Sequence, residues 1–240
     1  VDENIGENIG ENIGEPVGEN MNSGIARLIR KNTLTNYVLV VVRLVEGVLV
    51  TRWMYQYLGK EYYGFWALLW SIFIYVLVLD FGFSKAAQKC TAERLFLHDM
   101  PHYNRVVSAV FALQWLMSAV IVLVSAAATI FLPFLTGLTD PEQISYCRLA
   151  LIVFGTGIAI SFPTGMFPEI LVGMKAIYLR NYVLVVGRLV EMIGIYVLFK
   201  LGGSLLSLIF FSISLNLAIN LVMFAIIRRQ LPGFRLRPGL

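Results

Sequence analysis

The sequence predicts an all-α integral membrane protein, a bundle of six transmembrane helices, on three observations. Of its 240 residues 58% are hydrophobic and only 14% are charged, against about 25% charged in a soluble domain. Uncharged runs at 62–79, 106–139, 149–168 and 201–227 each reach the roughly 18 residues that cross a hydrocarbon core. None of these runs alternates with the period of two that a barrel strand needs. Two further spans are interrupted only by a repeated Arg and Glu and by charges near their ends. The expected helices are therefore about 34–58, 62–83, 106–132, 146–166, 181–201 and 204–227.

Residues 1–24 precede this lobe of residues 25–240. Glu-Asn-Ile-Gly occurs three times in tandem over 3–14, followed by Glu15-Pro16-Val17-Gly18. A repeat so short and polar cannot bury a core and reads as a disordered acidic tail. It lacks the basic start and apolar run of a signal peptide. Ile25–Lys31 is a basic approach suited to an anionic leaflet.

Helix 1 closes on Trp53, Tyr55 and Tyr57, and helix 2 opens on Tyr62, Tyr63, Trp66 and Trp70. Such aromatics mark a membrane interface, and the short turn between them makes the two helices antiparallel neighbours. Asp80-Phe81-Gly82 at the end of helix 2 matches a kinase motif in letters only, without the glycine-rich and catalytic loops that accompany it. Asp80 opposes the helix dipole there unless it has a partner, such as Lys85 or an Arg of helix 1.

The loop 85–105 is expected to be helical up to Asp99. His98 and His102 are four apart, but Pro101 lies between them and no third ligand is near, so they read as solvated loop residues and no metal or cofactor is expected. Gly155, Gly157 and Gly165 with Pro163 in helix 4 fit either a kink or close helix packing.

Lys and Arg concentrate at 27–31, 85–105, 175–180 and 228–237, all on the side of the N-terminus, while Arg52, Lys60, Arg148 and Lys200 lie opposite. By the positive-inside rule both termini are cytoplasmic. The net charge of +4 and pI of about 9.1 express this asymmetry and give no reason to expect nucleic acid. Cys90 and Cys147 fall on opposite sides of the membrane and cannot form a disulfide.

Asn36-Tyr37-Val38-Leu39-Val40-Val41-Val42-Arg43-Leu44-Val45-Glu46 returns at 181–191, with Gly187 in place of Val42 as the single difference. Asn36, Arg43 and Glu46 share one helical stripe, as do Asn181, Arg188 and Glu191. Arg43 lies close to mid-membrane, where a charge costs roughly 2.5–3.5 kcal/mol on insertion scales and marks function by default. Both helices run in the same direction, so the stripes can face one another across a bundle.

Two readings stand. In the structural one, each Arg neutralises its own Glu, or the pairs cross-link as Arg43–Glu191 and Arg188–Glu46. In the functional one, Arg43 and Arg188, with Asn36 and Asn181, line a polar cavity and bind a phosphate. Glu46, Glu191 and Asp80 then serve coupling or structural pairing. Two Arg and two Glu sum to zero, which opposes a strongly cationic cavity.

With these residues laid out, the chain resembles the polysaccharide transporter (O-antigen flippase) family of the multidrug/oligosaccharidyl-lipid/polysaccharide (MOP) exporter superfamily. The resemblance rests on Asn36-Tyr37 with Arg43, on Leu58-Gly59-Lys60-Glu61-Tyr62-Tyr63-Gly64-Phe65-Trp66-Ala67-Leu68, and on Asp80-Phe81-Gly82-Phe83-Ser84. Val172-Gly173-Met174 before Asn181 and Leu231-Pro232-Gly233-Phe234-Arg235-Leu236-Arg237-Pro238 complete it, over about residues 30–238. It implies one lobe of a two-lobed exporter in the bacterial inner membrane, flipping undecaprenyl-pyrophosphate-linked oligosaccharide for surface polysaccharide such as O-antigen and lipopolysaccharide. It also implies Arg43 as the position best placed for the pyrophosphate. A second lobe, a split partner or a second copy would complete the transporter. The alternatives are a drug or cation exporter lobe and a non-transporting scaffold for polysaccharide assembly. An enzyme is not expected, because no His/Asp/Glu cluster gathers at either membrane face.

Overall fold

The computed structural model describes residues 17–78, 80–97, 99–136 and 140–236, and everything in it is helix, turn or irregular segment. The helices are α1 (Val17–Val78), α2 (Phe83–Leu97), α3 (Met100–Thr136), α4 (Pro141–Ser161), α5 (Met166–Gly173), α6 (Ile177–Lys200) and α7 (Leu205–Gln230), with a 3-10 turn at Phe162–Gly165. Among the described residues five helical stretches are long and apolar enough to cross a membrane. The chain is a multi-pass membrane protein.

The first of those stretches holds two crossings. As one rod, the 62 residues of α1 would reach about 93 Å, three times the hydrocarbon thickness. Gly59 breaks it with φ 76° and ψ 174°, a conformation that only glycine adopts without strain. The partners of the two arms show the reversal. The arm before Gly59 follows α6, with Thr35 beside Asn181, Trp53 against Tyr196 and Tyr57 stacked on Phe199. The arm after it follows α4, with Tyr62 against Tyr146 and Phe73 against Phe154. The α4 N-terminus lies beside the start of α7, where Leu206 N–H donates to the Tyr146 hydroxyl, and the C-terminal end of α6 shares a core with both. Hence α4 and α6 are antiparallel, and so are the two arms. The expected helices 1 and 2 are a hairpin.

Several bounds differ from expectation. The helix starts at Val17, inside the stretch read as a disordered tail, of which residues 1–16 lie outside the described residues. Helix 2 ends at Val78 and gives way to a turn at Asp80–Gly82 before α2 begins. Helix 4 ends at Ser161, because Pro163 interrupts the ladder and a 3-10 turn carries the chain into α5. Helix 3 starts early, at Met100, with Pro101 in its first turn, where no N–H is required. Asp140 and Ser204 cap α4 and α7 through side-chain oxygens.

Among the described residues two large apolar cores, with a small cluster at Ile121 and Ala159, hold the bundle. One gathers Met54, Phe65, Leu69, Phe154 and Phe199, towards the Gly59 end; the other gathers Tyr103, Met166, Ile170, Met223 and Phe234, towards the opposite end. Gly157 and Gly187 let α7 approach, since a methyl group at either would collide with Ile213 or Ile219. Close packing explains Gly157 and Gly155, which meets Ser125 in the same way, whereas Gly165 has open space around it.

Candidate binding cavity

The two copies of the repeat lie side by side on α1 and α6, in parallel and nearly in register. Tyr178 N–H donates to Asn32 Oδ1 (3.0 Å), Asn181 Nδ2 donates to Thr35 Oγ1 (3.2 Å), and Arg188 Nη1 donates to Glu46 Oε1 (3.3 Å). Lys31 Nζ also sits 4.0 Å from the centre of the Tyr178 ring.

Within this pairing the charges are shared unevenly. Arg188 holds Glu46 and its own Glu191 (3.1 Å) at once. Of the two cross-links read from the sequence, Arg188–Glu46 forms. Arg43–Glu191 does not, and Glu191 pairs instead with Arg188 of its own helix. Among the described residues Arg43 has no carboxylate within ion-pair distance; Arg188 and Arg180 are near enough to repel it and Glu46 near enough to attract it. Both carboxylates are largely buried, with side chains 12% and 18% exposed, so the shared guanidinium offsets charges that would be costly alone.

Arg43, Arg188 and Glu191 open on a cavity of about 570 Å³ bounded by both arms of α1 and by α4, α6 and α7. Its wall nearer the Gly59 end is aromatic, built by Trp66, Trp70, Phe73 and Phe154 in edge-to-face contact. Its other end is polar, with Asp80, Ser84, Lys85, Gln114, Glu169 and Arg180. Between them α7 contributes Ser212, Asn216 and Asn220, a stripe of polar residues at spacings of four.

Asp80 is held by Ser84, whose hydroxyl donates at 2.9 Å, and by Gln114 Nε2 at 3.1 Å. Among the described contacts neither Lys85 nor an Arg of α1 partners it. Lys85 bonds Glu169 at 2.7 Å, and Asp80, lying just before α2, accepts from the Ser84 N–H as a cap. The dipole problem disappears because helix 2 has ended. Asn220 Nδ2 donates to Thr164 Oγ1 (2.9 Å) and to Asn216 Oδ1 (3.2 Å). Among the described residues, the buried atoms Gln114 Oε1, Ser161 Oγ and Arg180 Nε at the cavity have no hydrogen-bond partner.

The expected site residues thus divide. Arg43, Arg188, Glu191 and Asp80 line the cavity and Glu46 supports it from behind Arg188. Asn36 is exposed outside the lining, and Asn181 is fully buried against Thr35. Reading the sequence missed Arg180, which was counted with the flanking cations although it directly precedes Asn181. It also missed Gln114, Asn216 and Asn220, whose signal was an amide side chain inside an apolar span. Among the described residues no group of His, Cys, Asp or Glu is arranged to hold a metal. His102 is exposed, and His98 lies outside the described residues. Cys90 and Cys147 are unbridged, and burial pushes the Cys90 thiol up, away from the reactive thiolate.

No protein-family model matches the sequence, and no curated protein does. Solved structures do. An outward-facing multidrug resistance MATE family transporter of the MOP superfamily aligns with a TM-score of 0.69 at 16% identity, over 84% of this chain and 45% of its own. A MOP superfamily transporter from Pyrococcus furiosus, described as having a binding pocket of reverse polarity that suggests a different function, aligns with the same TM-score at 14% identity, over 86% of this chain and 45% of its own. The chain spans less than half the length of either. At such identities the likeness is one of architecture, and the chain has the fold of one half of a MOP superfamily transporter.

Proposed function

We propose that the chain is one lobe of a membrane exporter whose cavity receives an anionic head group, and that the cargo is a pyrophosphate-linked oligosaccharide on a polyprenyl carrier. The observation that carries this reading is Arg43. It is a guanidinium on the cavity wall that forms no ion pair with a described carboxylate, near Arg180 and Arg188 as well as Glu46. A phosphate relieves that crowding and takes bidentate hydrogen bonds. The uncharged stripe Ser212, Asn216 and Asn220 suits hydroxyl-rich cargo. The sequence resemblance to O-antigen flippases favours the same cargo, with the bacterial inner membrane as location, cytoplasmic termini and a second lobe or second copy as complement. No chemical step is required of the lobe.

A second reading, export of a drug or organic cation, has its own observation. The cavity also carries an aromatic wall at one end and the carboxylates of Glu191 and, at the other end, Asp80, groups that attract cations as well.

The test expresses the complete reading frame in a bacterium lacking its flippase and measures surface polysaccharide, with Arg43→Ala and Arg180→Ala at matched membrane abundance. A lost hydrogen bond to a charged group is worth about 1.5–3 kcal/mol, so each variant is expected to lower export tenfold or more. Full export by both variants rejects the head-group role. Drug resistance conferred without polysaccharide export selects the second reading.

A further inference from the structure

A second concavity lies outside the bundle. Gly47, Val48, Thr51, Arg52, Tyr55 and Tyr63 border an open, almost wholly apolar groove of about 550 Å³ between the two arms of α1. Gly47 leaves this face open, since a Cβ there would meet no atom within 4 Å. Val48 is 71% exposed, and the Tyr55 and Tyr63 rings meet edge to face at the end nearest the Gly59 turn.

Arg52 is the one charged residue on this groove, and it forms no ion pair or hydrogen bond with any described residue. It precedes Gly59 by seven residues, about 10 Å along the helix, at the depth where the hydrocarbon of a bilayer meets its head groups. Gly47 lies about 18 Å from the turn, among acyl chains. An apolar channel parallel to the membrane normal, with a cation at its head-group end, matches a lipid with a negative head. A helix docked on it from a protein would need a carboxylate at the depth of Arg52 and would leave a neutral lipid no role.

We propose that this groove binds an anionic phospholipid of the leaflet on the Gly59 side, one acyl chain lying over Gly47, Val48 and Thr51 and the phosphate on the Arg52 guanidinium. Tyr55 and Tyr63 flank the phosphate end, where their amphipathic rings are at home. The site is separate from the central cavity and does not depend on what the cavity carries.

Native mass spectrometry of the full chain in detergent, titrated with phosphatidylglycerol or with phosphatidylcholine of the same acyl chains, tests it. One cation at the membrane surface favours an anionic lipid by about 1 kcal/mol, or roughly fivefold. The wild type is expected to bind the first phosphatidylglycerol about fivefold more tightly than phosphatidylcholine. Arg52→Gln should bring that ratio to near one and Arg52→Lys should keep most of it. Gly47→Leu should weaken both lipids at least threefold by filling this open face, whereas Arg148→Gln, a cation held on the Thr129 carbonyl, should change neither. Equal binding of the two lipids by the wild type overturns the proposal. So does a ratio that survives Arg52→Gln, occupancy unaffected by Gly47→Leu, or a dimer in the lipid-free spectrum that Gly47→Leu abolishes.

Discussion

Segments 36–46 and 181–191 carry the same residues at all but one position, yet the fold gives them different work. On α6, Arg188 is tied to two carboxylates and Asn181 is sealed against Thr35. On α1, Arg43 faces the cavity without a carboxylate and Asn36 is exposed. The difference comes from what covers each helix. α7 packs closely on α6 at Gly187, while the first arm of α1 keeps much of its surface open. The same side chain thus holds two carboxylates in one copy and, among the described residues, none in the other.

The strongest challenge to this contrast is removal of each arginine. Arg188→Met strands two largely buried carboxylates and is expected to cost about 2–3 kcal/mol in thermal unfolding in detergent, somewhat below the usual cost of breaking a buried pair because Arg188 is 38% exposed. Arg43→Met should cost less than about 0.5 kcal/mol. Adding Glu46→Gln and Glu191→Gln to Arg188→Met should recover more than half of the loss. Equal destabilisation by the two Arg variants would make Arg43 structural as well.

Exchange of the one differing residue probes the cause. Gly187→Val drives a branched side chain into Ile219 and should cost about 1–3 kcal/mol. The reciprocal Val42→Gly should cost only about 0.5–1 kcal/mol, mostly through helix propensity. A tolerated Gly187→Val would show that the close packing of α7 on α6 does not distinguish the two copies.

The smallest effect is expected at the asparagines. Asn181→Ala removes a buried hydrogen bond worth about 1 kcal/mol, whereas Asn36→Ala should stay within about 0.5 kcal/mol of wild type. The same unfolding measurement resolves both.

Much of this architecture was legible in the sequence because hydrophobic length and turn chemistry are local. The aromatics on either side of a short turn marked the hairpin, whereas Pro163 and its glycines fitted a kink as well as close packing, with helix 4 expected to run on to 166. The repeat pointed to Arg43, Arg188, Glu46 and Glu191. What it could not give was the sharing of one guanidinium by two carboxylates, since that depends on the register of helices joined through distant chain. Nor did it reveal that Asn181 faces Thr35, or that Asp80 is held by Gln114 of α3, because amphipathic periodicity names a face and not the neighbour it meets. Arg180 was hidden by its position at a helix start, where a cation is ordinarily a membrane-surface residue.

The in-register pairing of α1 with α6 also sets a problem for biosynthesis. The copies are separated by 145 positions, from Asn36 to Asn181, which takes roughly 7–30 s at about 5–20 residues per second. Throughout that interval Glu46 is in the membrane while the guanidinium that will hold it has not been made. Arg43, one turn away on the same helix, is the only cation at that depth of the nascent chain and can serve Glu46 as a temporary counter-ion. In the folded chain it is Arg188 that holds this carboxylate.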